Sequence, residues 1–204
     1  MTDTTLLTLR AFAAPRERIE RCELCAAPIA TEHEHVFDPK AARLRCTCGA
    51  CARLLPGASG TALRRVDSFA RRIFDLELDD AVWEKLGVPV GLAFFSLRGP
   101  TFAVVASLPG RAGIVESAIP RELWWDLAEE HAVLRSLVPE VEALLVRRTP
   151  GHSDYFHASI DICFRLAGCL RSDDGPLSGP EPALVSDFFA ELDAAARGAR
   201  RSVA

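Results

Sequence analysis

Seven side chains able to bind a metal lie between positions 22 and 51 of this 204-residue chain. They are five of its seven cysteines, Cys22, Cys25, Cys46, Cys48 and Cys51, and two of its five histidines, His33 and His35. Thiolates and imidazoles together serve the ligation of zinc, copper or iron, whereas carboxylate and carbonyl oxygens suit magnesium and calcium. Cys22-Glu23-Leu24-Cys25 and Cys48-Gly49-Ala50-Cys51 are both C-x-x-C pairs. In a turn, that spacing lets two thiolates converge on one ion at about 2.3 Å each. The interval between the pairs is close to that between the halves of a zinc ribbon. One pair alone is a weak signal; two at this separation are a strong one. Free cysteines also serve as small core hydrophobes, but packing need alone does not cluster them in this way.

The segment between the pairs adds a second pattern. Asp38-Pro39-Lys40-Ala41 is a turn signal, with His33 to Phe37 before it and Arg43 to Cys46 after it. A hairpin centred near Lys40 and Ala41 sets His35 opposite Cys46 and His33 opposite Cys48. Side chains two apart on a strand share a face, and cross-strand neighbours stand about 5 Å apart. His33, His35, Cys46 and Cys48 would then form one patch, which a one-residue slip would dissolve. Seven donors exceed the four of a tetrahedral zinc, and three readings follow. In the first, Cys22, Cys25, Cys48 and Cys51 close a structural zinc, with His33, His35 and Cys46 beside it. In the second, His33, His35 and Cys46 help to hold another metal, with or without a share in Cys48. In the third, the cluster carries iron or an iron–sulfur centre, for which mixed cysteine and histidine ligation is known. An H-x-H flanked by Glu32 and Glu34 is equally the pattern of a plain polar strand face.

No other constellation rises above a structural explanation. Cys163 has Asp161, His152 and His157 near it in sequence, but a thiol nucleophile needs a lowered pKa and an adjacent base. Cys163 falls instead on the apolar stripe of its own helix. Trp124 and Trp125 read as one core and one rim aromatic, and Glu129, Glu130 and His131 as a solvated helix end. The chain has no phosphate loop, dinucleotide fingerprint or nucleophile elbow, so it is not read as an enzyme.

The elements that must hold these residues follow from periodicity and punctuation. Residues 1–19 read as a flexible segment, 20–55 as a zinc-ribbon-like module, 56–73 as a connector opened by Pro56 to Gly60, and 74–200 as a larger domain. Asp79 is an N-cap for a short helix that Gly87 and Pro89 end. Val90–Arg98, Thr101–Leu108, Ile114–Ile119, Val141–Thr149 and Ser153–Ile160 read as strands. Pro120–His131, Ile160–Arg171 and Ala183–Gly198 read as helices. Strands, helix, strands, helices in that order predict an α+β fold with a mainly antiparallel sheet.

Composition bounds the function. With 49% hydrophobic and 25% charged residues, the chain has the balance of a globular protein. No apolar run approaches a membrane span, and the N-terminus lacks the pattern of a secretory signal. A cytoplasmic location is therefore expected, where clustered thiols favour metal over disulfides. The net charge of −4 is split. Residues 1–75 carry 12 Lys and Arg against 9 Asp and Glu, and residues 76–204 carry 12 against 19. That basic excess, with Arg64, Arg65, Arg71 and Arg72, makes nucleic acid a weak alternative partner.

CELCAAPI, HEH, RLRCTCGAC, GVPVGLAFF, VEALLVRR and IDICFRLAGCLR together resemble an uncharacterised bacterial family encoded beside nickel–iron hydrogenases. The resemblance runs over roughly residues 18–197. It implies an accessory role in building, tuning or wiring a hydrogenase, through contacts with a hydrogenase subunit or another accessory protein. An iron-bearing electron carrier and a nucleic-acid-binding ribbon regulator are the alternatives.

Overall fold

The computed structural model describes residues 19–173 and 182–201. The flexible segment expected over 1–19 lies outside them, apart from Ile19. A small sheet comes first. β1 (Glu34–Asp38) pairs with β2 (Arg43–Thr47) and with β3 (Arg64–Val66), in the order β2-β1-β3, and α1 (Gly49–Leu54) sits between β2 and β3 in the chain. The chain then enters a six-stranded sheet of order β4-β9-β8-β5-β6-β7. Its strands are β4 (Ala70–Arg72), β5 (Leu92–Arg98), β6 (Ala103–Gly110), β7 (Gly113–Ile119), β8 (Glu142–Thr149) and β9 (His152–Ser159). All ladders in both sheets are antiparallel. The fold class is α+β, as the element order predicts.

Helices cover both faces of the large sheet, which explains why its central strands read as continuous apolar runs. Successive strand residues point to opposite faces. Phe94, Leu145 and Phe156 point toward α5 (Ile160–Arg171) and α6 (Ala183–Arg201), where they meet Leu166, Phe188 and Phe189. Phe95, Leu144 and Tyr155 point the other way. There they meet Trp83 of α2 (Asp80–Lys85), Trp124 of α3 (Arg121–Glu130) and Leu134 of α4 (Ala132–Ser136). Neither face is left to solvent, so the usual apolar–polar alternation is absent.

Local signals set the element ends. The Asp79 carboxylate accepts from the Val82 N–H at 2.7 Å, satisfying a free donor of the first turn of α2. Gly87, at φ +65°, takes the left-handed conformation that stops the helix. Gly91 is needed for space: a Cβ there would stand 2.2 Å from the Arg148 carbonyl oxygen. Among the described residues, no helix is long and apolar enough to cross a membrane.

The stretch read as a connector, 56–73, holds two strands. β3 lies along β1 and β4 lies along β9, so each sheet gains an edge strand from it. Phe37 and Val66, from the small sheet, belong to the same apolar cluster as α5 and α6. The seam between the two sheets is thus filled by side chains of both.

Candidate metal centre

Two tight knuckles bring the C-x-x-C pairs together. In the first, the Ala26 N–H donates to the Cys22 carbonyl and the Cys22 N–H to the Ala27 carbonyl, both at 2.8 Å. Ala26 closes this turn at φ 62°. In the second, Cys48 is the extended residue that caps α1, and Cys51 lies in the first turn of that helix. The knuckles are tied across the chain: the Glu23 N–H donates to the Cys46 carbonyl at 2.9 Å. The Glu23 carboxylate accepts from the Cys46 N–H at 3.0 Å and from Arg43 at 2.5 Å.

Cys22, Cys25, Cys48 and Cys51 converge, with their sulfurs all within 4.8 Å of one another. The Cys25 and Cys48 sulfurs are 3.7 Å apart. A tetrahedral ion with bonds of about 2.3 Å holds its donors about 3.8 Å apart, so the spacing fits one zinc-sized cation. All four thiols are free. This four-cysteine cluster has the composition and geometry to hold a metal ion such as zinc or iron.

Electrostatics argues the same way. Burial pushes the Cys22 thiol up, but the backbone N–H groups of Cys48, Leu24 and Cys25 outweigh it and hold it at about 6. The Cys51 N–H likewise lowers Cys48. Burial and the crowding of the Cys25, Cys48 and Cys22 sulfurs push Cys51 up to about 12. Some of these sulfurs are ready to be thiolates while a neighbour resists joining them. A bound cation removes that conflict, because a ligating thiol is deprotonated outright.

The histidine patch takes a different form from the one the hairpin predicts. His35 does stand opposite Cys46. The ladder ends one pair later, at Glu34 and Thr47, and Cys48 turns away to cap α1 and joins the thiol cluster. His33, His35 and Cys46 remain as a separate group whose donor atoms also lie within 4.8 Å of one another. The hairpin itself closes as expected: Asp38 accepts from the N–H groups of Lys40 and Ala41 at 3.0 and 3.3 Å. It also accepts from Arg45 Nε at 2.8 Å.

The remaining sequence candidates are engaged elsewhere. Cys163 is fully buried among Leu166, Phe156 and Val185, and burial pushes its thiol strongly upward. His152 and His157 face Asp154 and Glu142 at 2.9 and 2.8 Å. Trp124 is buried and Trp125 partly so. Arg64 pairs with Glu140 at 2.9 Å, Arg65 with Asp67 at 2.7 Å, and Arg72 with Asp154 and Asp193. Sequence reasoning missed Glu23 as the link between the two donor groups, although its place inside a C-x-x-C pair was a signal. It also did not connect Asp161 with His33 and His35. The Asp161 carboxylate is close enough to His35 to pull that imidazole's pKa upward, against burial and His33, which together leave it lowered.

No curated protein and no solved structure matches the chain. The sequence profile of the family of unknown function DUF5947 matches residues 21–196. The chain belongs to that family, and the match takes in both donor groups and both sheets.

Proposed function

We propose that this DUF5947 chain is a structural-zinc accessory protein. Its Cys22, Cys25, Cys48 and Cys51 hold one Zn²⁺, and it acts through protein–protein contacts in the assembly or function of a nickel–iron hydrogenase. The observation that carries the zinc reading is the meeting of four free thiols from two knuckles at tetrahedral spacing. A closed four-thiolate set leaves no position for a substrate, which is the mark of a structural site. The small sheet has three short strands and one short helix, too little to bury a core alone, and a metal contributes folding energy to such a segment. The hydrogenase link rests on the sequence motifs described above, carried by the Cys/His block and Gly87–Phe95.

The test has two arms. Tag-free protein purified without oxygen should contain zinc and lack visible colour, and Cys22→Ser/Cys25→Ser should lose zinc. Iron with visible absorbance would replace this reading with a redox one. In a host that carries the gene, its deletion should lower hydrogenase activity. The intact gene should restore that activity and the double-serine form should not. Unchanged hydrogenase in the deletion strain would sink the accessory role.

A further inference from the structure

His33 is the most informative side chain outside the four-thiol cluster. Its Nδ1 lies 3.0 Å from the Ala30 carbonyl and 3.1 Å from the Thr31 carbonyl, with a Glu20 carboxylate oxygen at 3.6 Å. All three are acceptors, so Nδ1 carries the proton and Nε2 carries the lone pair. That Nε2 is buried and has no hydrogen-bond partner. A buried acceptor left unpaired is costly. A metal-binding histidine commonly has this arrangement: one ring nitrogen donates to a backbone carbonyl, which fixes the tautomer and aims the other nitrogen at the ion.

The neighbours of His33 complete a donor set. The His35 ring is centred 4.7 Å from the His33 ring, and Cys46 is its direct cross-strand partner. Both ends of Cys46's backbone are held by Glu23, which fixes the thiol relative to the strand. The three side chains line one wall of a cleft of about 660 Å³ between the small sheet and the start of α5. Asp161, Phe164 and Arg165 line the opposite wall. Asp161 is oriented by a hydrogen bond from the Ser159 hydroxyl.

We propose that His33 Nε2, a ring nitrogen of His35 and Cys46 Sγ form a second divalent-metal site, with its fourth position open to the cleft under Asp161. The four-thiol cluster is closed by its own ligands, whereas this site supplies three. Three protein donors and a free position are the arrangement of a metal that binds an exchangeable ligand. The ligand class is a water or a small anion: the open position needs a single donor atom, and of the charged groups lining the cleft Arg165 attracts an anion while Asp161 and Glu32 oppose it. This site stands on its own donors and does not depend on the zinc reading of the four-thiol cluster.

The test counts metal in tag-free, full-length protein, using Zn²⁺ and then Co²⁺ as probes. Wild type should hold two zinc ions per chain. His35→Gln and Cys46→Ser should each hold one, with circular dichroism unchanged. One zinc in wild type that both His35→Gln and Cys46→Ser retain would overturn the second site and leave the thiol site standing. One zinc that survives the double-serine change and is lost in His35→Gln would do the reverse. With Co²⁺, thiocyanate should shift the visible bands of wild type and leave those of Cys46→Ser unmoved. No shift in wild type would overturn the open position.

Discussion

The two sheets solve the same problem with different means. The large sheet buries aromatic and aliphatic side chains on both faces; Phe94, Phe95, Leu144, Leu145 and Phe156 are all at or below 1% exposure. Its order follows from removing apolar area from water, about 25 cal/mol for each Å². The small sheet places Phe37 and Val66 in a shared core, with Leu44 packed against it, and otherwise relies on knuckles, a hairpin turn and converging thiols. One region is held by many non-directional contacts, the other by a few directional ones. Removing a single partner should therefore act locally in the first region and collectively in the second.

The largest expected effect is on the small sheet. Structural zinc binds zinc-finger peptides with about 10–16 kcal/mol, which becomes folding energy when no preformed site exists. Cys22→Ser/Cys25→Ser should thus raise amide hydrogen exchange throughout 20–55 while β5, β8 and β9 stay protected. Faster exchange in β8 as well would mean that the two regions unfold as one unit. Next in size, Phe156→Ala should destabilise the large sheet by about 3–5 kcal/mol, read by urea unfolding, because it empties a fully enclosed site. It should leave the metal content unchanged, and a loss of metal would break the contrast. Gly91→Ala should cost about 1–3 kcal/mol, since the new methyl group meets backbone and not a movable side chain. Asp79→Ala should cost about 1 kcal/mol through the lost N-cap of α2.

The smallest effect concerns pH. The Arg45 guanidinium, helped by the Ala41 and Lys40 N–H groups and opposed by burial, holds the Asp38 carboxyl below its ordinary 3.8. A depressed folded pKa stabilises above the unfolded value, and that contribution is lost as pH falls through the folded value. An NMR titration of the Asp38 carboxyl carbon should show a midpoint below 3.8, and Arg45→Ala should move it upward. A midpoint unchanged by Arg45→Ala would remove the ion pair from the forces that hold the hairpin.

Much of this was legible in the residues. The strands of the large sheet announced themselves because burial on two faces makes runs such as Leu92–Phe95 apolar throughout. The C-x-x-C pairs announced their meeting because two thiols at that spacing have one common geometry. β3 and β4 were hidden: Arg64–Val66 and Ala70–Arg72 are three residues long and mostly arginine, so neither period nor apolar content marks them. The patch of four was half right, since a hairpin register specifies neighbours only as far as the ladder runs, and Cys48 stands just past its end. The cleft was out of reach, because Asp161 and His35 lie far apart along the chain and only the packing of α5 against the small sheet brings them together.

Three residues, Asp67, Ser68 and Phe69, separate β3 from β4. A chain of that length, fully extended, reaches no more than roughly 14 Å from Val66 to Ala70. The small sheet is therefore on a short leash to the outermost strand of the large one. Any ligand or partner that shifts the metal-bearing hairpin pulls on β4 before it can move freely. β4 is anchored in turn by Arg72, which grips Asp154 on β9 and Asp193 on α6. A displacement at one end of the molecule thus has a mechanical path to its C-terminal helix.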